Sequence, residues 1–433
     1  MTKRYLFLVI LLAILTASTS YGWYVRAIEG LKVTALSPSF TSWGLWISFY
    51  IFFVGLSAGA FLVSSLVYGF NFKDLERVGR YALIVAILSL LGVFLSVLPD
   101  LGRMDRFIYL YTSPNFSSWM AIEAWMYVVY IVILLSELYF ACRTDLVRLK
   151  STTTGIKRIL YRVLSLGSSD SRDDRQLRDR KVVRILAIVG IPVAVIGVHG
   201  GTGAIFGVLG SRVAWFGGYT PIYFVLSAML SGSAFLLAAY IITNRALGIK
   251  VDSAATDKLR TIVLLLLFVE WFFMFWELIV SFWPTAPQEN TFIASLLVFG
   301  PYWYVFWIDE LFVGFLIPAG LLLHRPPSKA PIMACIAGLM IVLGIVGIRF
   351  NIVLPALNVL PLPNMPLDWN IKSSPWASIP GVSGGWWPNI GAGLPYFPSL
   401  WEILVELSIV SLLVLFYVLL VKIVPLEEVV TTK

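Results

Sequence analysis

The chain has 433 residues, of which 59% are hydrophobic and only 13% charged, against about 25% charged in soluble domains. Several apolar stretches are long enough to read as transmembrane helices, which excludes a soluble globular enzyme. Two cysteines, Cys142 and Cys335, exclude a disulfide framework or a cysteine-ligated cluster within this chain, and the formal net charge of +8 follows the membrane topology rather than marking a nucleic-acid surface.

In chain order the pattern predicts ten spans, at 5–25, 43–70, 80–99, 118–141, 183–208, 219–243, 260–283, 302–324, 330–351 and 399–422. The first runs into "LTASTSYGWYV", which lacks a small-x-small cleavage site, so it is kept as a helix rather than a signal peptide. Most of the 32 Lys and Arg residues fall in the two termini and in the connections after the even spans, which places both termini in the cytoplasm of a cell-membrane protein. The largest inner connection, 143–182, is basic and polar ("SSDSRDDRQLRDRK") and reads as a solvated loop, whereas Glu137 just before it reads as an interfacial residue. The largest outer connection, 352–398, is rich in Pro, Gly and Trp and nearly uncharged. It is too apolar for a free linker and is expected to lie on the outer face, at the interface or under a partner.

Spans 2–5 and 6–9 share short motifs in the same order: "LSAGAFLV" with "LSGSAFLL", "AIEAWMYVVYIVILL" with "WIDELFVGFLIPAGLL", and "VIGVHG" with "IVGIRF". The pairing joins spans of equal parity, so it predicts a parallel repeat rather than an inverted one. The expected fold is an all-α membrane protein with two four-helix bundles flanked by spans 1 and 10. The segments are 1–42, 43–208, 209–351, the outer loop 352–398 and 399–433, and small residues such as Gly55, Ser57 and Gly59 allow close helix approach.

Ionisable residues inside spans are costly and usually face a bundle interior. By helical rise, His199 lies about 24 Å from the inner start of span 5 and Glu123 about 8 Å below the outer end of span 4. With Asp100 at the outer end of span 3, followed by Arg103, this predicts an outer-side cluster of Asp100, Glu123 and His199. The repeat puts Glu277, Asp309 and Arg349 at the matching places in the second bundle. Arginine stays charged and makes fixed forked pairs, whereas histidine titrates near neutrality, so the first cluster is expected to exchange protons and the second to be structural. Glu270 with Glu277, Glu402 with Glu406, and Asp309 with Glu310 are further candidates for a proton path, or equally for structural pairing. The glycines beside His199 follow no strand and read as helix packing. His199 and His324 lie at different depths and cannot share a haem, and neither a C-x-x-C-H motif nor a metal-ligand cluster is present.

Five stretches, "SWGLWISFYIFFVGLSAGAFLVSS", "PDLGRMDRF", "SSWMAIEAWMYVVYIVILLSEL", "VHGGTGAIFGVLGSR" and "YFPSLWEILVELSIV", resemble the NrfD type of polysulfide reductase membrane subunit. The ten-span form is most similar to the group of the hydrogenase-2 membrane subunit HybB. The resemblance implies a haem-free subunit, without metal of its own, that handles a quinone of the menaquinone type. It also implies a four-cluster iron–sulfur partner on the outer face and, through that partner, a molybdopterin or nickel–iron catalytic subunit. The family's acid in span 4, histidine in span 5 and aspartate–arginine motif fall on Glu123, His199, Asp100 and Arg103; Met104 stands where many members carry proline.

The expected function is therefore electron exchange between the quinone pool and an outer iron–sulfur subunit, with room for coupling to proton movement. His199, Glu123 and Asp100 carry the chemistry, and His199, Glu123, Tyr127 and Arg103 contact the quinone. Tyr127 lies four residues after Glu123, on the same helix face. The alternatives are a purely structural anchor for an outer enzyme and a proton- or ion-coupled transporter.

Overall fold

The structure is a computed structural model that describes residues 3–36, 41–168, 173–324, 330–357, 359–361, 390–392 and 396–426. Ten of its helical segments are long and apolar enough to cross a membrane, in the order the sequence predicts. α1 (Lys3–Thr19) and α2 (Tyr21–Glu29) make the first span, and α3 (Leu45–Tyr68) and α4 (Gly79–Val97) the next two. A short α5 (Tyr109–Thr112) precedes α6 (Trp119–Thr152), which is followed by α7 (Gly155–Leu164). The fifth span is composite: α8 (Asp173–Pro192), a π-helical segment π1 (Val193–His199) and α9 (Gly200–Gly207). Then come α10 (Tyr219–Leu247), α11 (Ser253–Ser281) and the short α12 (Gln288–Val298). A second π segment, π2 (Val305–Leu316), continues into α13 (Ile317–Leu323), and α14 (Ala330–Leu357) follows. Strands β1 (Val359–Pro361) and β2 (Ile390–Ala392) pair antiparallel before α15 (Leu400–Leu420). Most of the outer loop 352–398 lies outside the described residues.

Helices that are apolar all round are either enclosed or face lipid, and both kinds occur. Almost every residue of α3 is buried, and it packs on α4, α10 and π1. By contrast α11 turns Leu265, Phe268, Phe272, Phe275 and Trp276 outward, as a lipid-facing helix does. α3, α4, α6 and the fifth span pack together, as do α10, α11, α14 and π2 with α13. The two groups meet chiefly where α3 crosses α10. There the "LSAGAF" and "LSGSAF" stretches face each other: a Cβ on Gly59 would strike the Ala228 carbonyl, and one on Gly232 would strike the Ala60 amide. The first span lies antiparallel along α15, with Thr16 bonded to Ser411 at 2.9 Å and Trp23 to Ser408 at 2.9 Å.

Two local expectations are corrected. Segment 143–182 is not simply a solvated loop. At about 1.5 Å per residue, the 34 residues of α6 reach about 51 Å, against a hydrocarbon core of about 30 Å, so α6 and α8 project beyond the membrane with α7 beside them. The Arg143–Asp179 ion pair (2.7 Å) and the Arg80–Asp145 pair (2.6 Å) hold this projection together, and all four side chains are buried. Glu137 is likewise not interfacial: it is 0% exposed, with Ser64 donating to it at 3.3 Å.

Candidate functional site

Glu123 is 2% exposed on the inward face of α6. Tyr50 of α3 donates to its Oε2 at 2.7 Å, Tyr127 donates to its Oε1 at 2.9 Å, and the Thr202 hydroxyl of α9 also donates to Oε1. The Tyr50 and Tyr127 hydroxyls are 3.1 Å apart. Three elements thus converge on one carboxyl group. Tyr127 arrives by the i, i+4 spacing on α6, and Thr202 is brought in by the turn after π1. Pro192 begins that irregularity because it has no N–H to give the preceding turn.

Glu123, Tyr50 and Tyr127 line a cavity of about 110 Å³, walled by Trp43, Phe94, Phe107 and Phe206 and reached also by Asp100 and Tyr111. Asp100 Oδ1 is buried there and has no hydrogen-bond partner among the described residues. Arg26 of α2 holds the turn that carries Asp100, donating to the Pro99 carbonyl at 2.8 Å and the Leu101 carbonyl at 2.7 Å. Burial, and after it the charge of Glu123, pushes the Tyr111 phenol up, so Tyr111 remains a hydrogen-bond donor at neutral pH. The cavity is aromatic on its walls and polar at Glu123 and Asp100, the pattern of a site for a flat apolar ring that carries polar atoms.

The structure brings together Asp100, Glu123 and Tyr127 but not the remaining predicted members. His199 is 1% exposed and does not line the cavity. Its ring lies 5.8 Å from Phe224, whose face takes the Arg349 guanidinium at 5.4 Å, and its nitrogens face the Phe224 backbone without a well-formed hydrogen bond among the described residues. Arg103 is 62% exposed and forks onto Asp105 at 2.9 and 2.7 Å, away from the cavity.

In the second group, Arg349 donates to Ser227 at 2.8 Å and makes no ion pair among the described residues, in place of the expected forked pair. Glu310 accepts from Asn351 at 2.5 Å, and Asp309 lies against Gly347. Glu270 is buried near Arg349, whereas Glu277 sits on the outward face with Tyr219 at 3.4 Å. Glu402 is a cap: with Ser399 it forms the capping box of α15, and it also accepts from Ala35 N at 2.8 Å and from the Tyr396 hydroxyl. Glu406 is buried beside Ser96 at 3.3 Å. Sequence reading missed Tyr50, Thr202, Tyr111 and Arg26. Only Tyr50 left a readable signal, standing seven residues before Ser57 on a helix face that meets span 4.

Comparison with known proteins gives the fold a family. The family model described as "Polysulphide reductase, NrfD" matches residues 32–361. The chain belongs to the NrfD polysulphide reductase family. Among its relatives, a selenate reductase subunit of Mesobacillus selenatarsenatis is 38% identical over 340 residues, covering 77% of this chain and 78% of that protein. The "Hdr-like menaquinol oxidoreductase integral membrane subunit" of Archaeoglobus fulgidus is 26% identical over 353 residues, 81% of this chain and 79% of the relative. The "Menaquinone reductase, integral membrane subunit" of Nitratidesulfovibrio vulgaris is 25% identical over 384 residues, 82% and 83% of the two chains. Membership in the family and the ten apolar helices make this chain a multi-pass membrane protein.

Proposed function

We propose that the chain is the quinone-reactive membrane subunit of a respiratory reductase complex, with the quinone head group bound in the cavity between α3, α4 and α6. The observation that carries this reading is the buried Glu123 carboxyl, gripped by Tyr50, Tyr127 and Thr202 at the end of an aromatic-walled cavity. The relatives named for menaquinol or menaquinone support the class of substrate, a menaquinone-type quinone.

A quinone ring presents two carbonyl oxygens. Glu123 and Asp100 both reach the cavity, so one carboxyl can serve each oxygen. Conversion between quinone and quinol moves two electrons and two protons. The chain's own residues hold the ring and handle protons: Glu123 passes a proton to or from the nearer oxygen, and Tyr50 and Tyr127 stabilise its carboxylate when the proton leaves. Electrons pass to or from an iron–sulfur partner seated over the outer loops, which in turn serves a molybdopterin or nickel–iron catalytic subunit. His199 in this reading packs behind the site, in the same span as Thr202, and touches no substrate. In this reading the basic projection of α6–α8 faces the cytoplasm, the cavity lies near the outer surface and both termini lie inside.

The test is quinone-linked turnover of the assembled complex with Glu123→Gln and Tyr50→Phe. Glu123→Gln keeps the shape but cannot exchange a proton, so turnover is expected to fall about a hundredfold with assembly intact on co-purification. Unchanged turnover and unchanged quinone KM in both variants would return the chain to the role of anchor.

A further inference from the structure

At the base of the α6–α8 projection lies a cleft of about 600 Å³ that the quinone chemistry leaves unused. The short helical turn Lys73–Val78, between α3 and α4, gives it Lys73, Glu76 and Arg77. α8 gives it Gln176, Arg180 and Arg184, which are one turn apart and so share a helix face. Two buried ion pairs fix its shape. Arg80 holds Asp145 at 2.6 Å and also donates to the Ala141 carbonyl at 2.7 Å and the Pro425 carbonyl at 2.8 Å, while Arg143 holds Asp179 at 2.7 Å. The cleft is therefore a built concavity in which α3, α4, α6 and α8 are locked together.

Its charges do not balance. Asp145 and Asp179 are neutralised by Arg80 and Arg143, and Arg77 reaches Asp252 at 3.4 Å. Among the described residues of the lining, that leaves Glu76 against Lys73, Arg180 and Arg184, and neither Lys73 nor Arg184 makes an ion pair among the described residues. A topological bias toward basic residues would scatter them over the projection. Here they converge on one concavity from two elements, which concentrates positive potential inside it. The cleft also lies at a definite depth. Arg184 is the last charged residue before the apolar run that ends α8, and directly past it Ile185, Ile188 and Val189 turn outward, 61%, 44% and 52% exposed. Outward apolar residues giving way to basic ones mark the boundary between hydrocarbon and headgroups. Val67, Phe140 and Val183 also line the cleft. Each lies nearer the middle of its span than the charged residues that its own segment contributes, so the cleft is apolar toward the hydrocarbon and cationic away from it.

We infer that this cleft binds one anionic phospholipid from the leaflet on the side of the α6–α8 projection. Its phosphate lies between Lys73 and Arg184, and a hydroxylated headgroup meets Gln176 and Glu76. The acyl chains leave past Val67 and Val183 onto the outward face of Ile185 and Ile188. Basic pockets between membrane helices suit such headgroups. A free phosphate would meet the same cations but gains nothing from the apolar side, and a choline lipid fits the apolar side but brings a second cation into a basic pocket. The site is independent of the quinone reading, because none of its residues lines the cavity at Glu123.

The experiment uses the full-length protein, delipidated in mild detergent and titrated with phosphatidylglycerol, phosphatidylcholine or inorganic phosphate, with bound lipid read by native mass spectrometry. The wild-type chain is expected to retain one phosphatidylglycerol in preference to phosphatidylcholine, and inorganic phosphate at equal concentration is expected not to displace it. A basic group beside an anionic headgroup is worth about fivefold in affinity, so Lys73→Gln combined with Arg184→Gln is expected to weaken retention about thirtyfold. Lys157→Gln combined with Arg158→Gln removes the same charge from α7, outside the cleft, and is expected to leave retention unchanged. Equal retention in the two double variants, or equal retention of the two lipids by the wild-type chain, overturns the site. Displacement by inorganic phosphate overturns the lipid as its occupant and makes it a site for a free anion. All four substituted residues are exposed, so both variants are expected to fold; if the cleft variant does not, the wild-type preference between the two lipids decides the matter.

Discussion

The two ring nitrogens of His199 are buried and make no well-formed hydrogen bond among the described residues, with only the Phe224 backbone to meet them, and poorly satisfied buried groups cost free energy. His199→Leu is accordingly expected to leave thermal stability in detergent unchanged or to raise it by about 1–2 kcal/mol, with the quinone KM unmoved. Loss of quinone binding in that variant would put the imidazole back into the site. The reason the ring stands apart from the cavity is local. π1 runs from Val193 to His199, and a π turn shifts the angular position of every residue after it relative to an ideal α-helix. Thr202 therefore meets Glu123, and His199 meets Phe224 instead. Helical rise groups His199 with Glu123 by depth, but depth carries no direction around the helix. Asp100, Glu123 and Tyr127 are legible in the sequence because span ends and i, i+4 spacing are properties of one helix. Thr202 and Arg26 are not, and Tyr50 shows only in its seven-residue spacing from Ser57, because their roles depend on which helix stands next to which.

At the level of elements, the number and order of the ten spans can be read from hydropathy alone, since an unbroken apolar run admits few other structures. Their packing can be read only where small residues mark a crossing. Gly59 and Gly232 do so, and the meeting of the two similar motifs there is what the proposed parallel repeat would produce if the halves pack face to face. Gly59→Ala is expected to destabilise the protein by about 1–3 kcal/mol through overpacking, seen as a lower melting temperature, whereas Gly320→Ala, with nothing within 4 Å of the added carbon, is expected to be mild. Equal effects of the two substitutions would show that the crossing is not tight. The extra helical turns of α6 and α8 escape a reading of the sequence because "SSDSRDDRQLRDRK" is polar on every side. Charge density speaks for solvent, while the buried pairing of Arg143 with Asp179 is invisible until the two helices are side by side. Arg143→Ala leaves Asp179 buried without its partner and is expected to cost about 3–5 kcal/mol, read as earlier melting and faster proteolysis between α6 and α8.

Across the whole molecule, the polar residues divide by half. The first group carries the cavity, with Glu137 buried deeper along α6. The second carries Arg349, Glu270 and Glu310 facing the buried Tyr223, Ser227 and Ser231 of α10, and α15 closes the outer end through the Glu402 cap. Replacing Glu310 or Arg349 is thus expected to lower stability more than it lowers quinone turnover, a split checked by measuring both in the same preparation. The projection of α6, α7 and α8 belongs to one half only. A chain of 48.3 kDa that is mostly hidden in a detergent micelle offers image alignment little to hold, and two similar halves invite registration errors. A rigid mast on one of them breaks that ambiguity. A nanobody raised against the turn between α6 and α7 would serve as a fiducial for microscopy and, by staining inverted vesicles but not intact cells, as a direct reporter of which way round the protein sits.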